Sequence, residues 1–294
     1  MANLNLYGCG TALITPFEKG GEVDYSALES LVKAQISAGI NFLVPLGTTA
    51  ETPCLTNEEK LKIFEICKKN SDGHPLVVGA GTNSFEHTKA NIDLLVPLKP
   101  DAFLIVTPYY NKPTQTGLKE YFTALADYAP APIVIYNVPG RTGVNIAAET
   151  TLALAEHPNI IAIKEASGNY AQISKIIGEA PEGFSVLSGN DDETLSLMAT
   201  GAKGVISVVS HLAPKEMVAL TSAMLDGKLD AARAIHHKLF PLFKGCFVES
   251  NPIPVKAGLA AQGAIKNVLR LPLTCASAST EALMKSILKN LNLL

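Results

Sequence analysis

Lys164 is the residue whose setting most directly suggests chemistry. Four apolar residues, Ile160-Ile161-Ala162-Ile163, lead straight into it, so its ammonium is placed at the edge of an apolar interior. Burying a charge without a partner is costly, and a lysine so placed tends to shed its proton. The neutral amine is a nucleophile able to form a Schiff base with a carbonyl compound. A plainer reading is that the lysine snorkels to solvent or pairs with Glu165. Tyr136 closes another apolar run. Its phenol could shuttle protons during carbinolamine collapse and imine–enamine exchange, or it could be a core tyrosine satisfied by backbone. Thr48 and Tyr110 add hydroxyls on nearby loops, and the Thr48-Thr49 turn offers amides and hydroxyls to a small carboxylate. Arg141 could grip a carboxylate in bidentate fashion, or serve as a surface ion-pair residue.

These residues need a scaffold, and the chain carries a rhythm that supplies one. Short apolar, β-branched runs recur at 9–16, 42–47, 76–81, 102–108, 132–139, 160–166, 184–190 and 204–210. Each is near-continuously apolar, as in strands buried on both faces of a parallel sheet. Helical patterns fill the gaps, at 25–38, 57–69, 84–97, 116–128, 147–156, 170–178, 192–200 and 214–226. Gly39 is placed to end the first helix. Thr56-Asn-Glu-Glu59 reads as a capping box opening the second. Strand–helix pairs repeated to residue 226 predict an α/β fold, a (β/α)8 TIM barrel. Three further helices, at 229–244, 254–262 and 279–291, then form a C-terminal helical domain, giving units 1–226 and 227–294. An open doubly wound sheet is the competing arrangement, since strand count alone does not close a barrel.

In a barrel the active site lies at the C-terminal ends of the strands. Those ends carry Gly47-Thr48-Thr49-Ala50-Glu51, the loop 107–113, Tyr136-Asn137-Val138-Pro139-Gly140-Arg141-Thr142-Gly143, Lys164-Glu165 and Ser188-Gly189-Asn190-Asp191. They are rich in Thr, Tyr, Lys and Gly rather than in clustered Asp, Glu or His, so metal-free chemistry is expected. His236-His237 falls in a C-terminal helix and is expected to be solvated. Gly79-Ala80-Gly81 only half resembles a dinucleotide fingerprint, because Ser84 stands where the third glycine belongs. No cofactor is expected.

Composition narrows the class. Of 294 residues, 47% are apolar and 17% charged, with 24 basic against 27 acidic side chains. That is too apolar for disorder and lacks the basic surplus of a nucleic-acid or anionic-membrane binder. No apolar run approaches the roughly 20 residues that span a bilayer. The first residues lack a basic stretch followed by a long apolar one, so no secretory signal is expected. Cys9, Cys54, Cys67, Cys246 and Cys275 are odd in number and irregularly spaced, which suits a reducing, cytoplasmic setting rather than a disulfide framework.

Together, Gly47-Thr-Thr-Ala-Glu51, Tyr109-Tyr-Asn-Lys-Pro113, Tyr136-Asn-Val-Pro-Gly-Arg-Thr-Gly143, Ile163-Lys-Glu165 and Asn251-Pro-Ile-Pro-Val-Lys256 resemble the pyruvate-dependent class I aldolase superfamily. Within it, the chain is similar to the dihydrodipicolinate synthase family, from about residue 7 to the C-terminus. The Gly-Arg-Thr-Gly segment distinguishes this family from N-acetylneuraminate lyase and the 2-keto-3-deoxy sugar-acid aldolases, the alternative reading. The resemblance implies that Lys164 forms the Schiff base with pyruvate and that Tyr136 donates and accepts protons. Thr48 and Tyr110 would complete a proton relay, Tyr110 reaching into a neighbouring subunit. Thr49, Gly189 and the Ile206 backbone would contact pyruvate, and Arg141 the carboxylate of L-aspartate 4-semialdehyde. The implied reaction condenses the two on the diaminopimelate route to lysine, in a homotetramer.

Many members of that family are inhibited by lysine in a cleft between subunits. The matching positions are Thr52, Pro53, Leu55, Asn57, Lys60, Asn83, His87 and Tyr109. Sensitive members commonly carry His at the place of Lys60 and Glu at that of His87. Losing that carboxylate removes a partner for the effector's ammonium, and Lys60 adds a like charge. Weak or absent lysine inhibition is therefore expected.

Overall fold

The structure, a computed structural model, describes residues 4–294. Eight strands alternate with helices: β1 Gly8–Ala12, β2 Phe42–Val44, β3 Val77–Gly79, β4 Ala102–Val106, β5 Ile133–Asn137, β6 Ile160–Glu165, β7 Ser185–Ser188 and β8 Gly204–Ser207. All neighbouring pairs are parallel, in the order β2-β1-β8-β7-β6-β5-β4-β3. The two flanking strands also meet. A parallel bridge joins Leu43 to Leu76, and the Leu43 and Gly79 N–H groups donate to the Pro75 and Pro45 carbonyls at 3.0 and 2.9 Å. The ring therefore closes, and the open-sheet alternative is excluded.

The helices are α1 Tyr25–Ser37, α2 Asn57–Asn70, α3 Phe85–Leu95, α4 Gln115–Tyr128, the single turn α5 Pro139–Thr142, α6 Ala148–Ala155, α7 Tyr170–Glu179, α8 Thr194–Ala199 and α9 Pro214–Leu225. The C-terminal part adds α10 Leu229–Gly245, α11 Ile253–Ala261 and α12 Ala278–Asn290. The capping box at Thr56 forms on both sides, with Thr56 Oγ1 accepting from the Glu59 amide and Glu59 reaching back. Gly39 takes φ +88° just past α1, a conformation costly for any residue with a Cβ.

Period-two alternation divides the apolar side chains between two cores. Ala12, Phe42, Val44, Val77, Leu104, Val134, Ala162 and Leu187 fill the barrel interior. Residues between them, such as Ile135 and Ile163, pack outward on the helices in a second core. Both faces are buried, which is why the strands read as continuous apolar runs. Gly10 matters to the inner core, because a Cβ there would lie 2.2 Å from the Phe42 ring. The outer core continues without a break into α10–α12 through Leu239, Phe243, Leu259, Met284 and Leu288.

Two expectations need correction. Most strands stop short of the C-terminal bounds read from the apolar runs. Rim residues such as Leu46, Ala80, Thr107 and Val208 stay buried although their backbone has left the strand, and short helical turns follow at Thr48–Ala50, Asp191–Glu193 and Val209–His211. His236 is not solvated. It is 8% exposed and packs 5.4 Å from the Phe243 ring, because Ala232, His236, Leu239 and Phe243 share the stripe of α10 that faces the core. Its neighbour His237 is exposed, as expected.

Candidate active site

Strand parity places the key pair. Val134 and Ala162 point into the barrel, so Tyr136 and Lys164, two residues further on, must do the same. They are direct register partners on β5 and β6. Lys164 Nζ lies 4.3 Å from the centroid of the Tyr136 ring, and both side chains are buried. Glu165 does not take the amine. It turns to the other face, where it accepts from Asn137 Nδ2 (3.0 Å), the Ser167 amide (2.9 Å) and Gln172 Nε2 (3.2 Å).

Burial pulls the Lys164 amine down to about 7; the Asp191 carboxylate opposes this and the Arg141 guanidinium adds to it. The amine is thus substantially neutral near neutral pH, as a nucleophile requires. Burial also raises the Tyr136 phenol to about 12, against Arg141 and the facing Thr48 hydroxyl. The phenol therefore stays protonated and able to donate.

These groups line one cavity of about 750 Å³ at the C-terminal mouth of the barrel, with Thr48, Thr49, Arg141, Gly189 and the segment Phe247, Val248, Glu249, Ser250 and Asn251. Gly189 makes room for the lysine stem, since a Cβ there would lie 2.7 Å from Ala166 Cβ and 3.2 Å from Lys164 Cε. Among the described residues, no group of three or more His, Cys, Asp or Glu is gathered to hold a metal ion.

A profile of the Dihydrodipicolinate synthetase family matches residues 5–291. The chain belongs to that family. It is 44% identical to the 4-hydroxy-tetrahydrodipicolinate synthase of Kosmotoga olearia, over 98% of this chain and 99% of that one. It is 46% identical to the Thermotoga maritima enzyme of the same name, again over 98% and 99%. A crystal structure of dihydrodipicolinate synthase from Thermotoga maritima superposes with a TM-score of 0.97 at 45% identity, covering 99% of this chain and 100% of that one.

Not every residue singled out for this family site meets the others within one chain. Ile206 lies on β8, buried in the inner core. Tyr110 is absent from the cavity of its own chain. It is 89% exposed and holds φ +70°, an uncommon conformation for a residue with a bulky ring. A hydroxyl relay from Tyr136 through Thr48 to Tyr110 is therefore not assembled within a single chain. Of the effector positions, Thr52, Pro53, Lys60 and Tyr109 line a second cavity of about 300 Å³. It adjoins the first across Thr48, Tyr136 and Arg141. Leu55, Asn57, Asn83 and His87 do not line it.

Several buried polar residues at the rim were not assigned roles from the sequence. Asp191 is held by Ser207 Oγ (2.5 Å) and the Val208 and Val209 amides (3.0 and 3.2 Å). Asn251 donates from Nδ2 to Thr49 Oγ1 (2.9 Å), and its carbonyl accepts from Arg141 Nη2 (3.3 Å). Lys256 forms a fully buried ion pair with Glu51 at 2.6 Å. The last carried a signal. A lone charge inside Ile253-Pro-Val-Lys-Ala-Gly-Leu259, an otherwise apolar segment buried throughout, requires a partner.

Proposed function

We propose that this chain is a 4-hydroxy-tetrahydrodipicolinate synthase that condenses pyruvate with L-aspartate 4-semialdehyde through a Schiff base on Lys164. The observation that carries this reading is a buried lysine amine 4.3 Å from the ring of a buried tyrosine, with Arg141 at the same cavity. The names of the relatives agree with it. The amine adds to C2 of pyruvate, and water leaves as the iminium forms, with the Tyr136 phenol supplying the proton. Loss of a C3 proton gives the enamine, whose C3 attacks the aldehyde carbon while the aldehyde oxygen is protonated. The amino group of the semialdehyde then displaces Lys164 from C2, closing the ring and freeing the enzyme. Thr49, Gly189 and the Ile206 backbone hold pyruvate, and Arg141 holds the second carboxylate.

The assembly proposed with this function is a homotetramer in the cytoplasm. An exposed Tyr110 suits a partner's site, and five unpaired cysteines, three of them buried, suit a reducing compartment. Lysine inhibition is proposed to be weak or absent. Lys60 lines the second cavity, where it sets a like charge, rather than a carboxylate, against the ammonium of a lysine effector. Inhibition by submillimolar lysine would contradict this.

The deciding experiment pairs two assays. Pyruvate with borohydride should add a reduced adduct to the Lys164 peptide by mass spectrometry, and the protein should turn over pyruvate with aspartate semialdehyde but not N-acetylneuraminate. An unmodified Lys164 peptide defeats the covalent mechanism. Cleavage of N-acetylneuraminate without synthase turnover assigns the chain to the sister aldolases.

A further inference from the structure

The turn after β2 carries Thr48 and Thr49, and it is pinned by a buried charge, Glu51, that does not line the cavity. Glu51 ends that turn with φ +55° and is 3% exposed. Its two carboxylate oxygens are held by two separate C-terminal segments. Lys256 Nζ on α11 donates to Oε1 at 2.6 Å, with both side chains 0% exposed. The Arg270 backbone N–H donates to Oε2 at 3.0 Å. Lys256 also lies over the Phe17 ring, 4.2 Å from its centroid. The Arg270 guanidinium reaches past the turn to the Cys54 carbonyl (2.7 Å) and the Glu59 carboxylate (2.7 and 2.6 Å). Just ahead of α11, Asn251 ties Thr49 Oγ1 to the same C-terminal region.

A buried ion pair is a weak source of stability, because desolvation offsets most of the attraction and well-packed apolar residues do as well. Its geometry offers something else. Charge-assisted bonds are short and directional, and these fix a turn whose backbone lies in a sparsely populated region. We propose that the Glu51–Lys256 pair is a positioning device, by which the C-terminal helical region sets the Thr48-Thr49 turn against Tyr136 and against the carboxylate of the keto acid. Neither residue touches substrate; both act through Thr48 and Thr49. The inference rests on the pyruvate reading of the site given above.

The test is the double variant Glu51→Gln/Lys256→Met, which removes both charges and nearly conserves shape. We expect thermal unfolding close to the parent, complete trapping of Lys164 at saturating pyruvate, and a KM for pyruvate raised on the order of tenfold, as small misplacements of a binding group cost. KM for the semialdehyde should move far less, a split that general loosening of the fold would not produce. Lys256→Arg, which keeps the charge, should hold KM for pyruvate near the parent value. Should the double variant fail to fold, Glu51→Asp keeps the charge but shortens the arm, and the same rise in pyruvate KM is expected. A folded variant with unchanged pyruvate KM, or with both KM values raised alike, overturns the proposal. Absence of trapping in the parent protein would instead sink the Schiff-base reading on which it stands.

Discussion

At the scale of single residues, the proposed chemistry rests on one amine, that of Lys164, buried where water cannot solvate its charge. The folded Lys164 pKa, about 7, lies below the ordinary lysine value of 10.5, so the folded state holds fewer protons than the unfolded chain between these limits. The cost of burying the charge is then full below pH 7 and fades as pH rises toward 10.5. Two outcomes follow. The initial rate of iminium formation, read by brief incubation with pyruvate and a borohydride quench at one fixed pH, should rise through pH 7 and level off. A rate that climbs only near pH 10 would mark an ordinary, solvated lysine. Lys164→Met should raise the melting temperature, most strongly below pH 7, as expected where a functional site is held against stability. Tyr136→Phe keeps the ring that packs in the inner core but removes the proton donor; turnover should fall about 100-fold while folding is retained. Near-normal turnover would remove Tyr136 from the mechanism. Lys164 and Tyr136 were legible in the sequence because each ends an apolar run. Glu51 and Lys256 were not legible as a pair, since 205 positions separate them and only the fold brings them together.

At the scale of elements, every strand and nearly every helix was readable, because burial on both faces writes a continuous apolar run and each helix writes a stripe. The strand ends were not, since a turn that stays buried at the rim keeps an apolar sequence while its backbone leaves the sheet. The same burial logic was missed for His236, where helical periodicity outweighed polarity. The barrel also divides its labour, with chemistry at the C-terminal rim and stability at the opposite end. Asn159, just ahead of β6, illustrates the second. Its Nδ2 donates to the Ala126 and Ala129 carbonyls, both at 2.9 Å, tying the end of α4 to the loop before β5. Asn159→Ala leaves those acceptors without this donor and should destabilise the protein by about 1–3 kcal/mol, measured by denaturant unfolding. Because this lies at the far end from Lys164, kcat and both KM values of the folded variant should match the parent. A change in either KM would mean that the two ends are not independent.

At the scale of the whole molecule, Tyr110 stands outside the cavity of its own chain. Its own cavity contains the amine, the phenol, Thr48 and Arg141 but not this ring, while the ring stands 89% exposed on a strained backbone. In a symmetric pair the same surface on each protomer meets its counterpart, so a tyrosine that cannot serve its own site can serve the partner's. Complementation tests this directly. Lys164→Ala lacks the amine but keeps Tyr110, and Tyr110→Phe keeps the amine but lacks the hydroxyl; each alone should turn over slowly. In a hybrid pair, the site that retains Lys164 would receive an intact Tyr110 from the other chain. An equal mixture, dissociated and reassembled at random, should therefore recover about a quarter of the parent turnover, because half of the pairs are hybrid and each has one complete site. Activity no greater than the average of the two variants would place Tyr110 outside the partner's site, and the relay would then have to end at Thr48 within one chain.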